Sequence, residues 1–276
     1  MLRSLTSGVS GLEQFQQEMD VISNNIANIN TTGYKDARVD FADALSQNLQ
    51  MTGDDSSTQI GTGVTTESIE NVFTQGSINN TGAPNDLAIS GSGFFVVRDP
   101  ATNATYATRA GDFEIDGSGY LVTPDGMRVQ GYSDAGLSTI GDIQINNTNS
   151  TSTTQDTSNV STWSFGTDGT ISVTLADGTA FTRGQVLLQN FTSPQSLIKQ
   201  GNNLYSNMAS AGPLTTLSAP GGSGLGTIVG DSLEASNVDL SSEMATMITA
   251  QRAFEASSKI ITTSDEMLQT LVNLKR

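Results

Sequence analysis

Three acidic residues, Asp112, Glu114 and Asp116, alternate with apolar neighbours and are followed by a glycine. Oxygen ligands at positions 1, 3 and 5 and a glycine at position 6 begin the calcium loop of an EF-hand. Position 12 of such a loop is a bidentate Glu, whereas Thr123 stands there in this sequence. Alternation also places the three acids on one face of a half-buried strand. The spacing therefore favours an ordinary strand over a metal site.

The residue types that most enzymes use as acids, bases or nucleophiles are scarce. The sequence contains no cysteine and no histidine, which excludes disulfides, thiolate nucleophiles and Ser/His or Cys/His pairs. Gly91 and Gly93 precede a predicted strand and no Gly-Lys-Ser/Thr follows, so they do not indicate a phosphate-binding loop. We expect no catalytic activity, no metal and no cofactor. An enzyme would have to use carboxylates such as Asp54, Asp55 or Asp112.

The overall charge limits the classes of partner. The 276 residues include 12 Lys and Arg against 28 Asp and Glu, a formal net charge of -16. Nucleic-acid phosphates and anionic membrane faces attract clustered basic residues, so we expect neither nucleic-acid binding nor membrane insertion. The sequence also lacks an apolar stretch of about 18 residues, and its first residues lack the apolar core of a cleaved secretory signal.

An amphipathic helix is predicted at the beginning of the sequence. Its apolar residues recur at steps of three or four, as expected for one helix face. They are Leu5, Val9, Leu12, Phe15, Met19, Ile22, Ile26 and Ile29. Several asparagines follow in the last turns, and we expect the helix to end at Gly33, a residue that readily adopts the left-handed conformation.

A second long helix is predicted near residue 276, with a seven-residue repeat. The repeat consists of Leu240, Met247, Phe254, Ile261 and Leu268, with Met244 and Val272 on the neighbouring seam. Gln251, Ser258 and Asp265 lie on the alternate seam, which indicates that something polar or closely packed faces it. Asn237 or Asp239 can cap the first turn. The helix would be roughly 50 Å long.

The sequence between the helices is typical of β structure. Asp-Gly turns separate alternating runs in FEIDGSGYLV, LVTPDGMRVQGY and ISVTLADGTAF, while LAISGSGFFVV suggests a strand pair with a Gly-rich joint. These patterns predict an α+β fold, with long coiled-coil-like terminal helices flanking a central, mainly antiparallel β domain. The predicted parts are a helical assembly domain (1–49 with 232–276), linkers (50–72 and 218–231) and a β-rich domain (73–217) with a low-complexity loop (146–162).

Four separated blocks of the sequence carry a family pattern. They are SGVSGLEQFQQEMDVISNNIANINTTGYK, FTQGSINNTGAPNDLAISGSGFFVV, YATRAGDFEIDGSGYLVTPDGMRVQGY and LEASNVDLSSEMATMITAQRAFEASSKIITTSDEMLQTL. In this order they resemble the axial proteins of the bacterial flagellum, the rod and hook subunits. The resemblance implies a structural subunit that leaves the cell unfolded through the flagellar type III export apparatus and forms a helical homopolymer. It also implies contacts with adjacent axial proteins: the distal rod, the hook cap and the hook-filament junction.

The position within that family is open between two members. NTTGYK followed by VDFADALSQ, with MRVQGY and GNNLYS, is most similar to a short hook protein, whose curved flexible tube couples rod to filament for motility. The distal rod protein of the basal body is the alternative, because the stretch from Leu45 to Gly61 is long enough for the extra segment that such subunits carry. An alternative from another class is a secreted β-rich binding module, in which the helices serve only to form a trimer.

Self-assembly is predicted to depend on the terminal helices, which we expect to be mostly disordered in the free monomer and to bury their apolar stripes against sister subunits. The predicted contact residues are the eight apolar residues of the first helix, Asn24, Asn25 and Asn28, and Leu240, Met244, Met247, Gln251, Phe254, Ile261 and Leu268 of the second. The asparagines are expected to hydrogen-bond across subunits, where an unpaired charge would be costly. The alternative for them is a frayed helix end with solvated amides.

Overall fold

The structure of the protein, a computed structural model, describes residues 2–52, 56–146, 160–214, 216–222 and 224–274. Most of the predicted loop 146–162 therefore lies outside the described residues, as do Asp54 and Asp55. The chain divides into two compact units. The first, here called the helical unit, comprises residues 1–29, 36–72 and 238–276, and the second, the β unit, comprises residues 30–35 and 73–237. The fold is α+β with mainly antiparallel sheets.

Two antiparallel helices, α1 (Leu2–Ala27) and α2 (Leu240–Leu274), form most of the helical unit. Ser4 near the start of α1 approaches Ser264 near the end of α2, with 3.5 Å between the Oγ atoms. At the opposite end, the Nδ2 of Asn25 lies 3.3 Å from the Oε2 of Glu243. Asp239 caps α2, because its Oδ1 accepts hydrogen bonds from the backbone N–H groups of the first turn.

The end of α1 differs from the prediction. The helix ends at Ala27 instead of continuing to Gly33. The side chain of Asn28 donates a 2.9 Å hydrogen bond to the carbonyl of Asn24, which also accepts the backbone N–H of Asn28 at 3.2 Å, so both donors of Asn28 bind the last turn of the helix. Turns follow, and Gly33 has a φ of +66° within them, where a Cβ would lie 2.6 Å from the backbone nitrogen of Ala110.

Four strands complete the part of the helical unit that the structure describes. They are β1 (Ala37–Asp43), β2 (Ser46–Thr52), β3 (Ser56–Gly61) and β4 (Val64–Asn71). Antiparallel pairing joins β1 to β4 and β2 to β3. The rings of Phe15 on α1 and Phe41 on β1 meet edge to face with centroids 6.3 Å apart, and Thr66 on β4 hydrogen-bonds Gln17 on α1 at 2.6 Å. Much of the predicted linker 50–72 is therefore strand.

The β unit contains sixteen strands among its described residues. They are β5 (Ile78–Asn80), β6 (Leu87–Ser90), β7 (Phe94–Arg98), β8 (Thr105–Thr108), β9 (Glu114–Ile115), β10 (Leu121–Val122), β11 (Arg128–Tyr132), β12 (Ile140–Asp142), β13 (Val160–Phe165), β14 (Thr170–Leu175), β15 (Ala180–Val186), β16 (Leu188–Gln189), β17 (Ile198–Gly201), β18 (Leu204–Ser206), β19 (Thr227–Gly230) and β20 (Ser232–Glu234). The main sheet follows the order β13-β14-β15-β11-β7-β8-β18-β17, and β5 pairs with β20 and β6 with β19.

Three of the four predicted strand pairs form as expected. Antiparallel ladders join β9 to β10, β10 to β11 and β14 to β15 across their Asp-Gly turns. LAISGSGFFVV, however, is not a hairpin: β6 pairs with β19, whereas β7 pairs with β8, β11 and β16. Gly91 and Gly93 both have positive φ values, and they redirect the chain from one sheet to the other. The unit's core includes Leu87, Phe95 and Ile171, with Trp163 packed against it.

Candidate assembly site

Small residues line the seam between α1 and α2. Gly8 and Gly11 are buried on α1. A Cβ on Gly8 would lie 3.1 Å from Cγ1 of Ile261, and one on Gly11 would lie 3.1 Å from Oγ of Ser257. Ala250 on α2 is also buried. Their small size allows the two backbones to approach closely at interior packing density.

The second seam of α2 differs from the predicted one. Ala250, Ser257 and Ser264, spaced seven apart, face α1 beside the apolar repeat. Met244 and Val272, predicted for this seam, are exposed instead. Close packing was expected against Gln251, Ser258 and Asp265. In the structure it occurs one residue earlier in each case, at positions 250, 257 and 264.

The predicted assembly residues fall into three groups by exposure. Ile22 and Asn25 are buried. The partly buried group consists of Leu5, Leu12, Phe15, Met19, Ile26, Asn28, Ile29, Met247, Phe254, Ile261 and Leu268. The exposed group consists of Val9, Asn24, Leu240, Met244 and Gln251. The apolar stripes are thus largely covered within the same chain, and the exposed side chains of Val9, Leu240, Met244 and Gln251 offer surface to other molecules.

Exposed apolar side chains also occur where the sequence pattern did not place them. Ile248, Ile260, Met267 and Leu271 of α2 are each about half exposed. Two pairs, 244 with 248 and 267 with 271, share the four-residue spacing of a helix face. That spacing is the sequence signal that indicates a second apolar face. The seven-residue repeat on the adjacent face is the stronger pattern and alone was used for the prediction. Exposed apolar patches of this kind mark interaction surfaces.

Asn25 connects three segments of the helical unit and is only 1% exposed. Its Nδ2 donates to Oδ1 of Asp36 at 2.5 Å and to the carbonyl of Ala37 at 2.8 Å, and its Oδ1 accepts the N–H of Ala37 at 3.1 Å. Glu243 lies 3.3 Å from the same Nδ2. The amide is therefore used within its own chain. We predicted that Asn25 either bonds to a sister subunit or is solvated. Its amide instead bonds to Asp36 and Ala37 of the same chain.

The β unit contains a buried ionic cluster of Lys35, Arg109 and Glu234. Nζ of Lys35 lies 2.6 Å from Oε1 of Glu234, and Nη1 of Arg109 lies 3.3 Å from Oε2. Lys35 also donates to the carbonyl of Thr74 at 2.7 Å, and Gly76 N–H donates to Glu234 Oε1 at 2.9 Å. Four segments distant in sequence thus meet at one carboxylate.

This cluster carries two cations and one anion away from solvent. Burial lowers the pKa of Lys35 against the opposing effect of Glu234, and burial likewise lowers the pKa of Arg109. The guanidinium of Arg109 also lies 5.1 Å from the ring centroid of Phe94 and donates to the carbonyl of Gly91 at 3.0 Å. Its buried Nε has no hydrogen-bond partner among the described residues. Glu234 is therefore the group on which both charges depend.

The acidic residues that imitate a calcium loop have other roles. Oδ1 of Asp116 accepts the N–H groups of Ser118 and Tyr120, both at 2.8 Å, and so forms the turn between β9 and β10. Burial and the nearby Asp86 raise the pKa of Asp112. The described residues contain no group of three or more His, Cys, Asp or Glu that could hold a metal ion.

Membrane insertion has no helical candidate in the described part of the chain. Neither α1 nor α2 combines the length and the apolar character that a membrane-spanning helix requires.

Comparison with known proteins places these features in a family. Three family models match: "Flagella basal body rod protein" at residues 5–35, "Flagellar hook protein FlgE/F/G D1 domain" at 88–173 and "Flagellar basal body rod FlgEFG protein C-terminal" at 230–274. The chain is 40% identical to the "Flagellar basal-body rod protein FlgG" of Bacillus subtilis over 283 residues, covering all of both chains. The chain belongs to the flagellar rod and hook protein family. It therefore has a structural role in the flagellum.

Other members of the flagellar rod and hook family match to different extents. The "Flagellar basal-body rod protein FlgG" of Borreliella burgdorferi is 34% identical and is covered completely, as is this chain. The "Flagellar hook protein FlgE" of Treponema pallidum is 48% identical, but over only 48% of this chain and 30% of its own length. The full-length matches thus favour a rod protein over the hook protein that the short motifs suggested.

Proposed function

We propose that this protein is a distal rod subunit of the flagellar basal body that polymerises into a helical tube. The observation that carries the proposal is the full-length match to proteins named basal-body rod protein FlgG, at 40% and 34% identity. The hook match covers less than half of this chain. The hook function suggested by NTTGYK and VDFADALSQ is therefore the less supported of the two, and the basal body is the proposed location.

The helical unit supports a polymerising role. It leaves Met244, Ile248 and Leu271 about half exposed on α2, and Val272 more so. Burying one such side chain yields roughly 1.5–3 kcal/mol, so several of them can offset the ordering of a marginal helix pair only when other subunits cover them. In the proposed mechanism α1 and α2 are the coiled-coil-like assembly domain, mostly disordered before docking, and the other axial proteins and the export apparatus are its partners.

Deletion of the gene in its own bacterium tests this function. Electron microscopy of purified basal bodies from the deletion strain should show loss of the distal rod together with every segment beyond it. A strain that keeps a complete rod and lacks only the hook would assign the chain to the hook. Purified wild-type protein under polymerising conditions should form open-ended tubes, whereas a discrete oligomer of fixed size would favour the secreted binding module.

A further inference from the structure

A groove of about 510 Å³ lies in the helical unit where α1 ends and α2 and β1 begin. Its apolar floor is formed by Val21, Ile22, Val39, Phe41 and Val72. Three carboxylates, Glu18, Asp36 and Glu243, line it together with a single basic residue, Arg38. The groove therefore combines apolar surface with negative charge.

The charge of the groove is not balanced by the residues around it. Neither Glu18 nor Glu243 forms an ion pair with any side chain that the structure describes. Arg38 is instead engaged by Asp40, 3.0 Å from its Nε. Burial raises the pKa of Glu18 and of Glu243, as expected for partly desolvated carboxylates without a cation. A basic partner would relieve this unfavourable state.

The complementary chemistry occurs at the other end of α2. Leu271, Val272 and Leu274 are 48%, 67% and 82% exposed in the last turns of the helix. The sequence continues with Lys275 and Arg276, which lie outside the described residues. Residues 271–276 thus combine exposed apolar side chains with two adjacent positive charges. This combination matches an apolar groove rimmed by carboxylates.

The two surfaces lie at opposite ends of one helix. Ser242, Glu243 and Thr246 of α2 line the groove, whereas residues 271–274 lie at the far end of the helix, and 35 helical residues span about 52 Å. One copy therefore cannot fill its own groove while α2 is intact. A contact between different surfaces of identical chains is heterologous, and it continues indefinitely unless a rotation closes a ring.

We propose that the groove of one copy binds residues 271–276 of a second copy, so that helical units join head to tail. Leu271, Val272 and Leu274 would cover Val39, Phe41 and the rest of the floor, and Lys275 and Arg276 would pair with Glu18 and Glu243. This proposal rests on the proposed polymerising function and specifies one of its contacts.

A binding measurement tests the contact without requiring polymers. A fluorescein-labelled peptide of residues 264–276 is titrated with the full-length protein below its polymerising concentration, with fluorescence anisotropy as the readout. The variant Glu18→Lys with Glu243→Lys should weaken binding about tenfold, because two pair interactions of about 0.7 kcal/mol each are removed. Glu13→Lys with Asp20→Lys is the control, since both residues are exposed on α1 and outside the groove. Absence of peptide binding, or equal affinity for the groove variant and wild type, would overturn the proposal.

A charge exchange between copies tests the same contact in assembly. The groove variant and the tail variant Lys275→Glu with Arg276→Glu should each polymerise poorly alone. Mixed in equal amounts they should polymerise, because each reversed groove then meets a reversed tail and each native groove a native tail. Normal tubes from either variant alone, or a mixture that stays soluble, would contradict the head-to-tail contact while the distal-rod function stands. Wild-type protein that forms no tubes would instead count against the proposed function. The peptide titration would still show whether the groove binds the end of α2.

Discussion

Lys35 and Glu234 form an ion pair with 2.6 Å between Nζ and Oε1, and both side chains are fully buried. Lys35 follows α1 in the sequence, and Glu234 precedes α2. Their pairing, together with the bond from Gly33 N–H to the carbonyl of Glu234 at 2.8 Å, fixes the two connecting segments to each other within the β unit. Taking such charges out of water is costly, so each depends strongly on its partner.

Removal of Glu234 should be the most damaging single change in this cluster. Glu234→Gln leaves Lys35 and Arg109 as two buried cations without an anion, and we expect a loss of about 3–5 kcal/mol in the free energy of unfolding. Lys35→Met leaves the neutral pair of Arg109 and Glu234, and should cost only about 1–3 kcal/mol for the hydrogen bonds lost. Urea unfolding followed by fluorescence of Trp163, the single tryptophan, measures both. The reverse order of stabilities would contradict this account.

Asp142 should make the β unit sensitive to acid. Burial opposes its ionisation, but hydrogen bonds from Arg98, Gln130 and Arg128 outweigh this and lower its pKa below 3.8. Because the folded pKa is below the unfolded value, the stabilisation is complete above about pH 4 and is lost as pH falls through the folded pKa. Asp142→Asn should therefore lower the free energy of unfolding at pH 7 and flatten its decline below pH 4. Urea unfolding between pH 2 and 7 measures the difference, and parallel curves would disprove it.

The seam between the helices should tolerate Ala but not Leu at position 11. The nearest atom to an added Cβ is the rotatable hydroxyl of Ser257, at 3.1 Å, and the other neighbours lie at 3.8 Å or more; Ala also favours helix over Gly by about 1 kcal/mol. Gly11→Leu overfills the seam and should cost about 1–3 kcal/mol, which corresponds to an approximately 5- to 150-fold higher critical concentration for polymerisation. Sedimentation of polymers measures it, with the exposed Glu13→Leu as control. Equal behaviour of the Leu variant and wild type would rule out close helix packing here.

Periodicity and turn chemistry predicted most of the elements. The stripe from Leu5 to Ile29 corresponds to α1 except for its last member, which follows the helix end at Ala27, and the repeat from Leu240 to Leu268 lies within α2. Asp-Gly pairs marked three hairpins because few other residues fit such turns. The pairing of β6 with β19 was beyond reach, since it joins segments far apart in sequence and no local pattern encodes it.

The candidate sites were less predictable than the fold. A buried Lys is rare unless it is paired, and nothing in NTTGYK indicates that Lys35 meets Glu234, a residue from the opposite end of the sequence. The helix seam was missed for a related reason: Ala250, Ser257 and Ser264 are small, and apolar periodicity does not register them. The short motifs favour a hook protein and the match along the whole chain favours a rod protein, because motifs shared within a family discriminate poorly between its members.

Apolar contacts of α2, unlike the polar segment 146–162, should be essential for polymers. Phe254→Asp or Ile261→Asp places a charge in the partly buried seam, where desolvation costs several kcal/mol, and should abolish tubes. Thr153→Ala with Thr154→Ala should leave them intact. Negative-stain electron microscopy of the purified variants is the readout. Tubes from the Asp variants, or loss of tubes in the Ala variant, would contradict the expectation that polymers depend on the apolar contacts of α2 and not on segment 146–162.

Asn25 should be the asparagine that matters for stability, because it is buried between Asp36, Ala37 and Glu243. Asn25→Ala leaves the N–H of Ala37 without its acceptor and should cost about 1–3 kcal/mol, whereas the exposed Asn24→Ala should change stability by less than about 0.5 kcal/mol.

Asn25→Asp should be worse at neutral pH, because it adds a third carboxylate to two existing ones. Neighbouring charges would raise the pKa of that Asp in the folded state, so its penalty should grow as pH rises through 4 and shrink in acid. Thermal melting of the helical circular dichroism signal in assembled protein, compared at pH 4 and 7, measures these effects. If Asn25→Ala and Asn24→Ala melt together, the amide is not the link between α1, β1 and α2.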